Sequence, residues 1–128
     1  IYYKAVKREP FTCFLQEDTA LPMMYMEDAV QATLQLMAAP ASNIQIRTSY
    51  NLAGMSFSPQ EIAESIRAHY PEFSLTYEPD FRQKIADSWP SSINDDSARN
   101  DWGWKASFGL TEMTAEILTK LPSQIQKI

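Results

Sequence analysis

The residues with the most chemistry to offer crowd into one stretch, "DFRQKIADSWP" at 80–90, where Arg82 and Trp89 stand among the acids Asp80 and Asp87 ahead of a proline. A guanidinium grips carboxylates and phosphates bidentately, and an indole brings a large apolar face with one N–H donor. Such a segment is either a binding loop or the lining of a core, and any helix drawn through it breaks after Ala86. Elsewhere the chemistry thins out. The three glycines, Gly54, Gly103 and Gly109, cannot spell a GxGxxG dinucleotide loop or a GxxxxGK[ST] phosphate loop. The single histidine, His69, falls near the end of a predicted helix, where an imidazole faces the last carbonyls or solvent. Asp95 and Asp96 are adjacent acids at a helix start, a cap and a dipole partner before they are metal ligands. Trp102 and Trp104 flank Gly103 and invite an aromatic cage for a cation, yet at a helix C-terminus they read as a hydrophobic plug. Met23, Met24 and Met26 read as buried strand residues. The chain is read as lacking a Tyr-x-x-x-Lys pair and so as catalytically incomplete: no catalytic, cofactor-binding or metal-ligating residue is assigned.

Composition bounds the rest. A chain of 128 residues is long enough for one domain with a hydrophobic core. Its net charge of -5 opposes a phosphate backbone, and its eleven Lys and Arg are scattered without a basic stripe, so nucleic acid is not an expected partner. No apolar run approaches the roughly 20 residues of a membrane helix. Cys13 is the only cysteine and sits in an apolar run, which implies a buried thiol in a reducing compartment and a cytoplasmic location.

The elements that must position these residues alternate. Tyr2, Tyr3 and Val6 keep helical spacing from the first residue without a capping residue, so the helix reads as entered midway and the chain as a piece of a longer protein. "FTCFL" and "ALPMMYM" are expected strands. "EDAVQATLQLMAAP" carries apolar residues at Ala29, Val30, Leu34 and Met37, acids at its dipole-positive end and Pro40 at its stop. "IQIRTSYNLAG" is a third expected strand and "FSLTYE" a fourth. Between them Ser58, Pro59 and Glu61 announce a helix, closed by Pro71. A short helix capped by Asp95 or Asp96 ends at Gly103, and a last helix is expected with Thr111 as its N-cap and Met113, Ile117, Leu118 and Leu121 on one face. The alternation of strand and helix predicts an α/β or α+β unit.

Three of these stretches, in order, carry a resemblance. "LPMMYMEDAVQATLQLM", "YNLAGMSFSPQEIAESI" and "SINDDSARNDWGWKASFGLTEM" resemble the later strands and helices of the extended short-chain dehydrogenases, the NAD-dependent epimerase/dehydratase family, and together span nearly the whole chain. Within it they look most like the short-chain type L-threonine 3-dehydrogenases. The resemblance implies that residues 1–128 are the C-terminal substrate-binding portion of an α/β enzyme: an α+β substrate domain plus one strand and helix of a Rossmann-type sheet. It implies NAD and an amino acid substrate in the parent, and it assigns the glycine-rich loop and catalytic pair to an absent N-terminal half, against which residues 26–53 would pack. The chain alone would then be inactive and bind no NAD, and its bared strand and helix would favour self-association through residues 26–53.

In related enzymes the segment held here by 80–90 lies over the substrate. The resemblance therefore implies that Trp89 walls the pocket and Arg82 approaches a carboxylate, against plainer uses as packing under the final helix and as an ion pair with Asp80 or Asp87. A sugar-nucleotide epimerase or dehydratase is the alternative within the family. Its diphosphate-gripping Arg-Asp-aromatic run corresponds to Leu21, Pro22 and Met23 here, and the only cations between His69 and Ala98 are Arg82 and Lys84, which favours a small zwitterion. An α/β interaction module binding a partner at an open sheet edge is the alternative of another class.

Overall fold

The computed structural model describes residues 1–125. Its elements run α1 (Tyr2–Val6), β1 (Phe11–Cys13), β2 (Leu21–Met23), α2 (Met26–Ala38), β3 (Met55–Phe57), α3 (Pro59–Arg67), β4 (Leu75–Tyr77), α4 (Phe81–Asp87), α5 (Asp96–Trp102) and α6 (Leu110–Ile125). The strands make two small sheets. β1 runs parallel to β4, with Thr12 opposite Thr76, and β2 runs antiparallel to β3, with Pro22 opposite Ser56. Helices and short strands alternate as an α/β unit should.

The helix expected from Ser58 forms with its full capping box. Ser58 Oγ accepts the Glu61 N–H at 3.3 Å, Glu61 Oε2 accepts the Ser58 N–H at 2.7 Å, and Pro59 takes the first position, where its missing N–H costs nothing. α3 lays Ile62 and Ile66 onto Ala5 of α1 and onto Phe73, with Phe11, Phe57 and Leu75 around them. α6 packs against α1 and α3, laying Leu110 on this core and burying Met113, Leu118 and Leu121 along its length. At its centre the buried Thr114 Oγ1 hydrogen-bonds both Tyr2 Oη and Ser65 Oγ at 2.8 Å, joining α1, α3 and α6 through satisfied hydroxyls. A second, smaller core gathers Ala32, Ala98 and Trp104.

Several expectations are corrected. Residues 44–54 form no strand: the Gln45 and Ile46 N–H groups, which would feed a ladder, donate instead to Tyr50 Oη at 3.1 and 3.2 Å, and the strand lies just downstream as β3. A β-pattern without a neighbouring strand has nowhere to send its hydrogen bonds. Met26 is the first residue of α2 and 72% exposed, and Met23 is exposed on β2, so neither is a buried strand residue. Thr111 lies inside the first turn of α6. The capping contact there is the Gly109 N–H on Glu112 Oε2 at 3.1 Å. α6 also runs past Leu121 and through Pro122, which falls in its last turn. Residues 80–87 are helical, because Asp80 accepts the Arg82 N–H and caps α4, whose end at Asp87 lies one residue past the expected break.

Candidate functional site

A groove of about 310 Å³ opens between the β2–β3 pair and the turn that follows Trp89, with Met23, Met24, Gly54 and Met55 on one wall and Ser92 and Ile93 on the other. The strands approach closely here. A Cβ on Gly54 would lie 2.7 Å from the Met23 carbonyl oxygen, which reserves the position for glycine. The floor is pinned from below at Ala53, whose carbonyl accepts the Trp104 indole N–H at 3.2 Å and whose N–H donates to Asp95 Oδ2 at 3.2 Å. Asp95 also takes the Arg99 Nε–H at 2.6 Å, and that guanidinium holds its carboxyl below the ordinary carboxylate range. The acids at 95 and 96 do structural work, though not as the expected cap: Asp95 stands at the N-cap without a side-chain capping bond and ties α5 to the groove, and the Asp96 N–H donates to Asn94 Oδ1. Trp104 is buried and Trp102 stacks at 6.1 Å from it and edge-on to Tyr50, the plug expected at this helix end.

The opening segment divides. Asp80 grips Arg82 in a fork: Nε lies 3.0 and 3.1 Å from the two carboxylate oxygens and Nη2 lies 2.6 Å from Oδ2. The pairing lowers the Asp80 pKa and raises that of Arg82. The same guanidinium lies over the Phe14 ring at 3.4 Å. Arg82 thus fastens α4 to the loop after β1 and does not line the groove. Trp89 is 60% exposed, which rules out packing beneath α6, and it stands three residues before the groove wall at Ser92. His69 is exposed past the end of α3, its N–H on the Ile66 carbonyl.

Sequence reasoning missed three features. Tyr3 and Lys7 do hold the Tyr-x-x-x-Lys spacing, contrary to the expectation that no such pair exists. Both side chains are exposed, Tyr3 on α1 and Lys7 at its C-cap, outside the groove, so the spacing brings no chemistry to it. Asp28, in the first turn of α2, is buried and accepts the Ser107 and Phe108 N–H groups at 3.0 Å each, a clamp on the loop before α6. Gln83 is a buried amide in the middle of α4. No spacing in the sequence signals the burial of the last two, because the partners that bury them, Ser107 and Phe108 for Asp28 and Gln16 and Thr19 for Gln83, are distant in the chain.

No protein-family model matches the chain. It is 49% identical over 119 residues to the mitochondrial L-threonine 3-dehydrogenase of Bos taurus, covering 92% of this chain and 32% of that protein. It is 41% identical over 127 residues to an uncharacterised epimerase/dehydratase of Staphylococcus haemolyticus, covering 98% of this chain and 40% of that protein. Among solved structures, the GalE-like L-threonine dehydrogenase of Cupriavidus necator in its apo form matches with a TM-score of 0.91 and 58% identity over 94% of this chain and 43% of that one. The ADP-L-glycero-D-manno-heptose-6-epimerase of Helicobacter pylori, at TM-score 0.76 and 18% identity, shares the fold. Fold and relatives together place the chain in the epimerase/dehydratase family of Rossmann-like dehydrogenases, as an α/β portion of such a protein. Its homologues there include the GalE-like L-threonine dehydrogenases, of which it matches a C-terminal portion only. Among the described residues no helix is long and apolar enough to cross a membrane.

Proposed function

We propose that this chain is the substrate-binding portion of an NAD-dependent L-threonine 3-dehydrogenase, which passes hydride from the secondary alcohol of threonine to NAD and leaves 2-amino-3-oxobutyrate. The observation that carries the reading is the 58% identity to a threonine dehydrogenase across 94% of the chain, groove included. The bound amino acid lies in the groove, with Trp89 closing over it as an apolar wall that excludes water. Arg82, forked onto Asp80 and laid over Phe14, serves the substrate only indirectly, by fastening the helix that leads to Trp89. A nucleotide sugar is less well served, since Leu21, Pro22 and Met23 offer its diphosphate no cation.

The dinucleotide finds no cradle among the described residues. Gly54 is closed off by the Met23 carbonyl, Gly109 faces the Glu112 carboxylate, and Gly103 caps the dipole-negative end of α5. In this reading NAD is held by the remainder of the parent, of which this chain matches a C-terminal portion. Residues 26–53 dock on that nucleotide-binding half, covering the stripe of Val30, Leu34 and Met37, and in its absence copies of the chain associate through the same face. The buried Cys13 thiol fits a reducing, cytoplasmic setting.

The test is threonine-dependent NADH formation by the full-length parent. Trp89→Ala should raise the threonine KM roughly tenfold, about 1.4 kcal/mol of binding, and leave the NAD KM unchanged. A parent that reduces NAD with a nucleotide sugar and not with threonine overturns the reading.

A further inference from the structure

One buried amide ties the loop that leads into one wall of the groove to the helix that leads into the other. Gln83 is 8% exposed at the centre of α4. Its Oε1 accepts the Gln16 N–H at 2.8 Å, and its Nε2 donates to Thr19 Oγ1 at 2.9 Å and to Asp87 Oδ1 at 2.7 Å. Both amide hydrogens and one lone pair are used, and the flipped amide would set an NH₂ against the Gln16 N–H. Gln16 and Thr19 belong to the loop between β1 and β2, which the Gln60 N–H holds from its other side at the Glu17 carbonyl, 3.0 Å away. That loop leads directly into β2 and so into the wall formed by Pro22 and Met23. Asp87 ends α4, two residues before Trp89 and five before the opposite wall at Ser92. The remaining ties between α4 and this loop, the Asp80 N–H on the Phe14 carbonyl and the Arg82 stack on Phe14, sit at the surface.

We infer that Gln83 is a positioning residue for the substrate: it sets the separation of the β2 wall from the 88–93 turn, and with it the fit of whatever the groove holds. The inference rests on the groove's being the substrate site, as proposed above. Leucine at 83 fills similar space but leaves the Gln16 N–H, the Thr19 hydroxyl and the Asp87 carboxylate without their shared partner, and a buried donor left unpaired drives local rearrangement. The loop then separates from α4, and the exposed Asp87 loses the bond that fixes it and the segment behind it. A structural side chain of equal burial elsewhere has no such consequence for the groove.

The experiment compares Gln83→Leu with Ile66→Ala, a core truncation outside the groove's lining, in the full-length parent assayed well below both melting temperatures. Gln83→Leu should raise the threonine KM about tenfold or more with the NAD KM within about twofold, and hydrogen exchange should quicken at residues 16–19 and 88–93. Ile66→Ala should lower the melting temperature without moving the threonine KM. An unchanged threonine KM in folded Gln83→Leu overturns the inference, and so does an equal rise in both KM values. If the wild-type parent does not oxidise threonine, the proposed function falls separately. Exchange at 88–93 then decides this inference alone: unaltered protection overturns it, and quickened exchange retains the clamp for the groove's true ligand.

Discussion

Helices α3 and α2 carry similar apolar stripes and meet opposite surroundings. On α3, Ile62, Ala63 and Ile66 are buried against α1, Phe73 and α6, and the polar groups beneath them are satisfied by Thr114. On α2 the stripe of Met26, Val30, Leu34 and Met37 faces out, Met37 at 78% exposure, while Asp28 and Ala32 are the buried positions. The chain following α2 repeats the contrast, since residues 44–52 have strand-like alternation and no strand beside them. Periodicity marks which face of a helix is apolar; it does not say which molecule covers that face. In this chain α1, α3 and α6 cover one another, and the proposed cover for α2 is the nucleotide-binding half of the parent.

The largest effect that would break this contrast is a pair of truncations. Ile66→Ala should cost about 2–5 kcal/mol by urea denaturation in the chain alone and in the parent alike. Leu34→Ala should fall within about 0.5 kcal/mol of wild type in the chain alone and cost about 2–5 kcal/mol in the parent if the proposed docking buries its face there. Equal small effects of Leu34→Ala in both would mean that nothing docks on α2. A smaller effect sharpens the comparison at a buried polar tie of α2, Asp28, to the loop that leads into α6. Asp28→Asn keeps the shape but offers one acceptor oxygen where the carboxylate supplied two, so thermal melting should show a loss of about 1.5–3 kcal/mol. It should appear in the chain alone as fully as in the parent, because both partner N–H groups, at Ser107 and Phe108, lie within this chain.

What was legible in the sequence follows from the range of the interactions. The Ser58–Pro59–Glu61 start, the Pro40 stop and the Gly103 end of α5 are settled within four residues, and each stands where its residues put it. The family and the α/β class were legible because three long segments kept their order. The strand at 44–54 was misread because alternation is local while a ladder is not. Met26 was misread by carrying β2 into the first turn of α2. Gln83 and Asp28 were beyond reach: the Gln16 amide is 67 residues from Gln83 and the Ser107 amide 79 from Asp28, and an amide in mid-helix or an acid in a first turn has an ordinary local explanation. Tyr3 and Lys7 were readable and overlooked, and only their exposure on α1 shows that the spacing carries nothing.

The division of the chain into a self-covered part and a docking part is tested most directly by hydrogen–deuterium exchange, comparing the chain alone at sub-micromolar concentration with the full-length parent. The amides of residues 62–66 and 113–121 should be equally protected in both. Those of residues 44–52 should exchange rapidly in the chain alone and become strongly protected in the parent, where the strand pattern finds its neighbour. Equal exchange of residues 44–52 in the two proteins would contradict the account.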